Sequence, residues 1–429
     1  VGPRLLRELA AASIRAMNRF PAIESLTRRL FLYGAFSAVA VLSASNAFAQ
    51  TPAFKHWVMK LKPRAMARGI SEKTYDRVMG PLQPDNSVYD QYRAQPEFTE
   101  AMWQYVNRRC SGYRIKLGKE KAAEQSALLD RIERDYGIDR YIMLGLWGME
   151  SSFGDVIDNP KYMRPVIPAL AALAYGEPRR RPYWEKELLN ALLIADRGWV
   201  EPSKMVGSWA GAMGHTQWMP EVWLNIGVDY NKDGRVNPFQ IEDAFGGTAK
   251  YLTERGKYRR GESWGCEVIP GAAARMADNR TSRSYAHWQS LGVTRADGKP
   301  FERPGDSVKL WRPESGGPSF LVGQNFFAAR SYNPSSSYAL ALVLLGDLIA
   351  GKPPLKQQFP GGERAPTLAE VQEMQVKLTA MGYDTQGTDG RVGNDTMKAI
   401  RVFQTKVGMD PADGYAGLKV LARIRQARG

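Results

Sequence analysis

The sequence predicts a mainly α-helical protein in two unequal parts, a large body and a small helical tail. Three observations predict it. Apolar residues recur at helical spacing in segments that stop at glycine: FKHWVMKLKPRAMARG ends at Gly69, AAEQSALLDRIERDYG at Gly137 and SYALALVLLGDLIAG at Gly351. A Pro/Gly/charged stretch, GKPPLKQQFPGGERAP at 351–366, reads as a linker. Beyond it Val371, Met374, Leu378 and Met381 line one helix face, and Met397, Ile400, Phe403 and Val407 line another. The chain of 429 residues is too long for one compact core.

Four regions follow from this reading. Residues 1–49 read as an export signal, 50–350 as the body, 351–366 as the linker and 367–429 as the tail module. In the first region Arg28 and Arg29 are the charged part, Leu30 to Leu42 the short apolar part, and Ala47-Phe48-Ala49 a small-x-small cleavage site before Gln50. The paired arginines followed by Leu30-Phe31-Leu32 are similar to a twin-arginine signal. The apolar run falls short of the roughly 20 residues a membrane span needs, so no stable membrane anchor is expected. The sequence opens on Val1, and Met17 would start a conventional signal.

The formal net charge of +15 favours polyanions, and residues 1–49 contribute only +4 of it. Export speaks against nucleic acid as the partner and leaves acidic wall polymer or lipid. Cys110 and Cys266 could pair in an oxidising compartment or remain two buried thiols.

Within the body, residues 53–136 read mostly as helix, and about 140–350 mixes helices with long loops rich in Trp, Tyr and Gly. Asp139 can cap a helix starting near Arg140. Met143, Leu146, Trp147 and Glu150 then share one face, and that face is otherwise apolar. Apolar neighbours and the negative helix C-terminus both disfavour a charged carboxylate. Glu150 is therefore the candidate general acid, the role an acid that stays protonated near neutral pH can fill. The alternative is a helix-end glutamate turned to water.

SWAGAMGHTQWMP (208–220) places Ser208, Gln217 and Trp218 among small residues that admit a bulky ligand, with Trp218 as a flat apolar face for a sugar ring; the alternative is a Gly-rich turn with a core Trp. NFFAARSYNPSSSYA (325–339) adds Tyr332, Asn333 and Tyr338 in a polar loop. Arg179 and Arg180 could meet substrate carboxylates, or be a solvated charge run.

DYNKDGRVNPFQIED (229–243) carries a calcium-like pattern: Asp229, Asn231, Asp233 and Gly234 fit positions one, three, five and six of an EF-hand loop. Arg235 could offer its carbonyl. Gln240 stands where a glutamate is usual, and Asp243 could close a longer loop. The expected calcium ion is structural, and no cofactor is required for chemistry. The alternative is an Asx-turn loop without an ion.

Two other patterns lead nowhere. Gly261-Glu262-Ser263-Trp264-Gly265 fits G-x-S-x-G, but it reads as loop into strand, without the strand-to-helix turn a nucleophile needs. His56, His215 and His287 form no H-E-x-x-H.

In order, GMESSFG, SWAGAMGHTQWMP, the calcium-like loop and RSYNPSSSYA resemble the membrane-bound lytic murein transglycosylase B family over about 53–350. The tail resembles the type 1 peptidoglycan-binding domain: Asp389-Gly390, Gly393 and Thr396 match its motif, and Asp413-Gly414 opens a second copy that departs at Leu418 and Lys419. The resemblance implies a lysozyme-like (α+β) catalytic domain with an EF-hand-like loop, plus a small three-helix peptidoglycan-binding domain. It implies cleavage between N-acetylmuramic acid and N-acetylglucosamine in peptidoglycan glycan strands, with a 1,6-anhydro product and Glu150 as the acid. It implies a glycan cleft lined by Ser208, Gln217, Trp218, Tyr251, Tyr332, Asn333 and Tyr338, and a metal loop of Asp229, Asn231, Asp233, Arg235 and Asp243. The expected location is the periplasm. A hydrolytic muramidase using the same Glu150, or an inactive wall-binding protein, are the competing expectations.

Overall fold

The computed structural model describes residues 51–93 and 100–427. The export-signal reading of 1–49 lies outside the described residues. Among the described residues no helix is long and apolar enough to cross a membrane.

The body opens with α1 (Pro52–Ala67), α2 (Glu72–Met79), α3 (Val88–Arg93), α4 (Met102–Arg109), α5 (Gly112–Glu124), α6 (Ser126–Tyr136) and α7 (Arg140–Ser151). Local chemistry sets the boundaries. Thr51, Ser71 and Ser111 cap α1, α2 and α5 through their hydroxyls. Gly137 ends α6 at φ 69°, a left-handed position that glycine takes without a Cβ clash. Asp139 caps α7 by accepting from Tyr141 N at 2.7 Å, as the sequence predicts.

A short ribbon, β1 (Arg164–Pro165) with β2 (Val206–Gly207), brackets the alanine-rich α8 (Val166–Gly176) and α9 (Arg181–Asp196), which are largely buried. Then come α10 (Pro220–Asn225) and α11 (Ile241–Glu254). The sequence reading did not resolve the sheet that follows. Strands β3 (Gly265–Ile269), β4 (Ser282–Ser284), β5 (Thr294–Arg295), β6 (Ser307–Trp311) and β7 (Ser319–Val322) form one antiparallel sheet in the order β4-β6-β7-β3-β5. Helix α12 (Tyr285–Ser290) brings Tyr285 and Trp288 to one face, against Val268, Val308, Leu310 and Leu321. Trp311, Phe320 and Val322 face the main core instead, an alternation that follows from the two-residue pleat. Gly261–Gly265 leads into β3, and Ser263 Oγ donates to the Gly265 carbonyl at 3.1 Å, so this serine sits in no nucleophile elbow. Cys110 and Cys266 are free thiols, the first buried.

Helices α13 (Gln324–Tyr332) and α14 (Ser336–Ile349) complete the body. Helix α14 runs antiparallel to α7, and glycines let the two backbones meet. A methyl group built on Gly145 would lie 2.3 Å from the Leu342 carbonyl oxygen, and one on Gly346 would lie 2.4 Å from the Tyr141 carbonyl oxygen. Both helices are otherwise packed with buried leucines, so the crossing joins the core and fixes what each helix end carries.

Among the described residues the tail has three helices, α15 (Leu368–Ala380), α16 (Asn394–Lys406) and α17 (Leu418–Gln426). Met374, Leu378, Ile400, Phe403, Leu421 and Ile424 form its own core. The two similar turns use one device. Gly390 N donates to Gln375 Oε1 at 2.8 Å, and Gly414 N donates to Gln404 Oε1 at 2.7 Å, both glycines at positive φ.

An alanine in an ordinary helix interior is more favourable than glycine by about 1 kcal/mol. At Gly145 the expected sign is opposite: Gly145→Ala lowers stability by about 1–3 kcal/mol, because the crossing must open. Urea denaturation of the single variant measures it.

Candidate active site

Glu150 lies in the last turn of α7 and is half-buried. Tyr338, in the first turn of α14, donates its hydroxyl to Glu150 Oε1 at 2.6 Å. The close crossing of the two helices produces this contact, since 150 faces 338 at one end as 141 faces 346 at the other.

The chain leaves α7 through two successive non-glycine residues in the left-handed region, Ser152 (φ 51°) and Phe153 (φ 61°). Such positions cost free energy and persist where neighbours hold them. Phe153 is buried and packs edge-on to Trp147 at 5.7 Å. Arg114 of α5 donates to the Gly148 carbonyl and to Ser152 Oγ, each at 3.0 Å. Burial pushes its guanidinium down to about 10, helped by the charge of Arg109, which leaves it cationic at neutral pH against the negative end of α7. Ser151 Oγ donates to the His215 carbonyl at 2.6 Å, and Trp147 Nε1 donates to His215 Nδ1 at 3.2 Å. Burial holds His215 below the usual imidazole range, consistent with a neutral ring whose Nδ1 accepts.

The loop carrying His215 is a tight reversal in which Met213 and Trp218 exchange backbone hydrogen bonds at 2.9 and 2.8 Å. Gly214 is required there. Its φ is 73°, and an added methyl would lie 2.0 Å from the Pro238 carbonyl oxygen. His215 N donates to that same oxygen at 3.0 Å. Gln217, at φ 52°, is buried and donates through Nε2 to the Gly214 carbonyl at 2.9 Å. Ser208 is half-buried and accepts from Ala212 N at 3.2 Å.

Trp218 is a correction. It is 0% exposed, its Nε1 donates to Thr248 Oγ1 at 3.1 Å, and its ring lies against Gly227 and Gly247. A ring wedged between glycines in the core offers no face to a sugar. The aromatic that does reach the surface is Trp209 of the same segment, half-buried and edge-on to Tyr92 at 5.9 Å.

Tyr332 ends α13 beneath Glu150. Its hydroxyl donates to the Thr216 carbonyl at 2.6 Å, and its titration is driven up chiefly by burial and next by the charge of Glu150. Tyr251 packs edge-on to Tyr332 at 5.1 Å and donates to the Ser331 carbonyl at 2.9 Å. Asn333 is buried and accepts from Ser335 N at 3.2 Å. Glu150, Tyr332 and Tyr338 thus gather at one point, with Tyr251 behind Tyr332 and Gln217 on the adjoining loop. Arg179 and Arg180 stand apart on the outer surface, with Arg180 stacked over Tyr183 at 4.4 Å. Arg114 escaped the sequence reading because a lone arginine on a polar-looking helix carries no local sign of its distant partner.

In the 229–243 loop the oxygens serve the loop itself. Asp229 accepts from Asp233 N at 3.1 Å and Gly234 N at 2.9 Å, and Asp233 accepts from Arg235 N at 3.0 Å. Asp243 is fully buried and accepts from Tyr230 N, Asn231 N and Asn237 N at 2.7, 3.2 and 2.9 Å. Among the described residues no three His, Cys, Asp or Glu side chains converge as a metal cluster. Gln240 donates to Asp233 at 2.9 Å while its Oε1 is buried with no hydrogen-bond partner.

Residues 53–347 match the family model of the transglycosylase SLT domain, and residues 367–424 match that of a putative peptidoglycan binding domain. The chain is similar to SltB3 from Pseudomonas aeruginosa, solved in complex with NAG-anhNAM-pentapeptide, at 36% identity and TM-score 0.67, covering 87% of this chain and 99% of that one. It is also similar to Escherichia coli Slt35, solved in complex with calcium, at 26% identity and TM-score 0.59, covering 71% of this chain and 94% of that one. Membrane-bound lytic murein transglycosylase B of Escherichia coli K12 is 30% identical over 226 residues, 52% of this chain and 60% of that protein's length. The match thus spans less than two thirds of that curated relative.

Removing the Tyr338 hydroxyl keeps the ring and takes one donor from Glu150. A hydrogen bond to a charged or reacting group contributes about 1.5–3 kcal/mol. Tyr338→Phe is expected to lower kcat of the reaction that uses Glu150 by about tenfold or more. Steady-state kinetics read this, with an unchanged circular dichroism spectrum as the folding check.

Proposed function

We propose that this chain, which belongs to the transglycosylase SLT domain family, is a peptidoglycan lytic transglycosylase that cleaves the β-1,4 bond between N-acetylmuramic acid and N-acetylglucosamine. The observation that carries the reading is the half-buried Glu150 held at 2.6 Å by Tyr338 above the buried Tyr332. The ligand named with SltB3, NAG-anhNAM-pentapeptide, supports the substrate class.

In this mechanism protonated Glu150 gives its proton to the glycosidic oxygen as the bond to C1 breaks. The resulting carboxylate then takes the proton of the muramoyl C6 hydroxyl, whose oxygen bonds to C1. A 1,6-anhydro end forms, no water is consumed, and Glu150 is protonated again. One carboxylate therefore serves both steps, where a hydrolase that activates water uses two. Asp155, the next carboxylate along the chain, faces Arg391 of the tail at 3.7 Å, which suits it poorly to act as a second base. The hydroxyl of Tyr338 is placed to favour the carboxylate that appears between the two steps.

The body is read as lysozyme-like, with the cleft floored by Gln217, Tyr251, Tyr332, Asn333 and Tyr338 and flanked by Ser208. Trp209 takes over the sugar-stacking role first expected of Trp218. Arg179 and Arg180 would meet acidic stem peptides at the outer flank. The tail binds peptidoglycan. Residues 1–49 are read as directing export to the periplasm by a cleaved signal, whose paired arginines are similar to a twin-arginine signal.

The 229–243 loop is read as EF-hand-like. Its donor set is all oxygen, which suits calcium, and the buried, unpartnered Oε1 of Gln240 fits a loop short of one positive partner. Asp229, Asn231, Asp233, the Arg235 carbonyl and Asp243 would hold the ion. Calcium would supply a structural cross-link only. Through Pro238 that link would stiffen the His215 loop, which bonds Ser151 beside the acid.

Digestion of purified murein tests the reaction. Fragments ending in anhydro sugars, one water lighter than reducing ends, are expected; reducing ends would make the protein a muramidase. Glu150→Gln is expected to lose at least about 100-fold in rate. A variant as active as the parent would remove Glu150 from the role. For the loop, calcium at about 100 times its dissociation constant is expected to add about 2.7 kcal/mol of stability. Chelator should abolish the shift in thermal midpoint. Asp229→Ala should lose the calcium response, whereas Asp243→Ala should destabilise even in chelator, because three backbone N–H groups lose their acceptor.

A further inference from the structure

The tail touches the body on both sides of the catalytic acid. Three consecutive residues at the start of α5 divide the work. Gly112 lies against the tail, where an added methyl would sit 2.7 Å from Leu368 N. The ring of Tyr113 lies 5.9 Å from the Arg391 guanidinium. Arg114 turns the other way and grips the Gly148 carbonyl and Ser152 Oγ at the end of α7. Past the acid, Asp155 pairs with Arg391 at 3.7 Å and Lys161 pairs with Asp395 at 2.9 Å. Between these contacts stand Ser152 and Phe153, the two left-handed residues, whose conformation needs external restraint.

A second set of contacts, made by α4 and the linker, also seats the module. Gln104 donates to Asp413 at 2.9 Å, Asn107 donates to the Tyr415 hydroxyl at 3.1 Å, and Trp103 meets the Tyr415 ring edge-on at 5.1 Å. From the linker, Glu363 accepts from Leu418 N at 2.8 Å and Lys419 N at 3.1 Å at the start of α17. The linker is folded into this seat.

We propose that the docked tail is a positioning element of the cleavage reaction, with Arg391 and Asp395 holding α5 and the 152–163 segment so that Glu150 stays aligned. This rests on the function proposed above. The two ion pairs are half-exposed, so each adds little to global stability. Their effect falls on the placement of the acid, where small displacements are costly in rate. Arg391 and Asp395 act through the segment they hold, and neither is a catalytic residue.

The test uses the full chain with a soluble, uncross-linked glycan fragment, for which anchoring to an insoluble wall gives no advantage, alongside insoluble murein. The tail variant R391E/D395K is expected to lower kcat on the soluble fragment by about tenfold, with KM within about twofold, as misplacement of a reacting group predicts. Adding D155R/K161E, which restores both pairs with reversed sign, is expected to recover most of that loss. Amide hydrogen exchange of residues 150–163 should quicken in R391E/D395K and return in the swapped chain, and the thermal midpoint should stay near that of the parent. Unchanged kcat on the soluble fragment, with loss confined to insoluble murein, would make the tail a tether only and overturn the inference. If the parent chain cleaves neither substrate, the proposed function fails, and the exchange measurement still decides whether the tail restrains the segment.

Discussion

The site depends on one steric constraint, the backbone-to-backbone crossing of α7 and α14. Gly145 and Gly346 have no Cβ where the partner carbonyl oxygens stand, at 2.3 and 2.4 Å from the positions a methyl would take. Antiparallel helices that touch at two points one helical turn or so apart have little freedom to slide along each other. Tyr338 therefore meets Glu150 at 2.6 Å chiefly as a consequence of core packing, and the turn after α7 narrows the placement further. The core beneath is made of fully buried leucines, Leu144, Leu146, Leu342 and Leu345, so a shift of either helix would open voids.

Around this crossing the acid's end of α7 is held by groups of unlike chemistry. Arg114 answers the helix carbonyls with a buried cation, Ser151 reaches the His215 carbonyl, and Phe153 fills a space that Gly118 and Gly148 leave open. These groups come from three separate stretches of the chain. Each compensates part of the cost of the left-handed Ser152 and Phe153. The calcium-like loop joins the same framework at Pro238, whose carbonyl accepts from His215 N and excludes any side chain at Gly214. A strained turn with several anchors keeps a carboxyl in place more narrowly than a relaxed helix end would.

How much of this was legible in the sequence depends on the range of each interaction. The Asp139 cap, the apolar face of α7 and the glycine stops are local, and they were readable to the residue. The paired turns of the tail were readable as a repeat, though not the glutamines Gln375 and Gln404 that hold them. The five-stranded sheet was not, because its strands span two to five residues and interleave with a helix and turns, leaving no sustained alternation. Trp218 was misread for a physical reason: glycine-rich surroundings were taken as room for a ligand, whereas Gly227 and Gly247 make room for the indole itself. Arg114 and its carbonyl partner are 34 residues apart, and no pattern of spacing reveals such a pair.

The tail carries the same lesson one level higher. A Pro/Gly-rich stretch of charged residues reads as a flexible tether, and a tether would make wall binding and cleavage independent, joined only by effective concentration. Glu363 contradicts the premise. Its carboxylate caps α17, and Gly417 leaves room for that carboxylate because a methyl there would overlap it. A linker whose side chain completes the module it leads to cannot swing freely without uncapping that helix. With Asn107 also holding the Glu363 carbonyl at 2.8 Å, the linker is pinned to α4 and the module to both. On the proposed reading, binding energy gained by the tail would pass through a fixed body to the segment that follows Glu150. In a tethered protein the same energy would only keep the chain near its polymer; in a docked one it would bear on the alignment of Glu150.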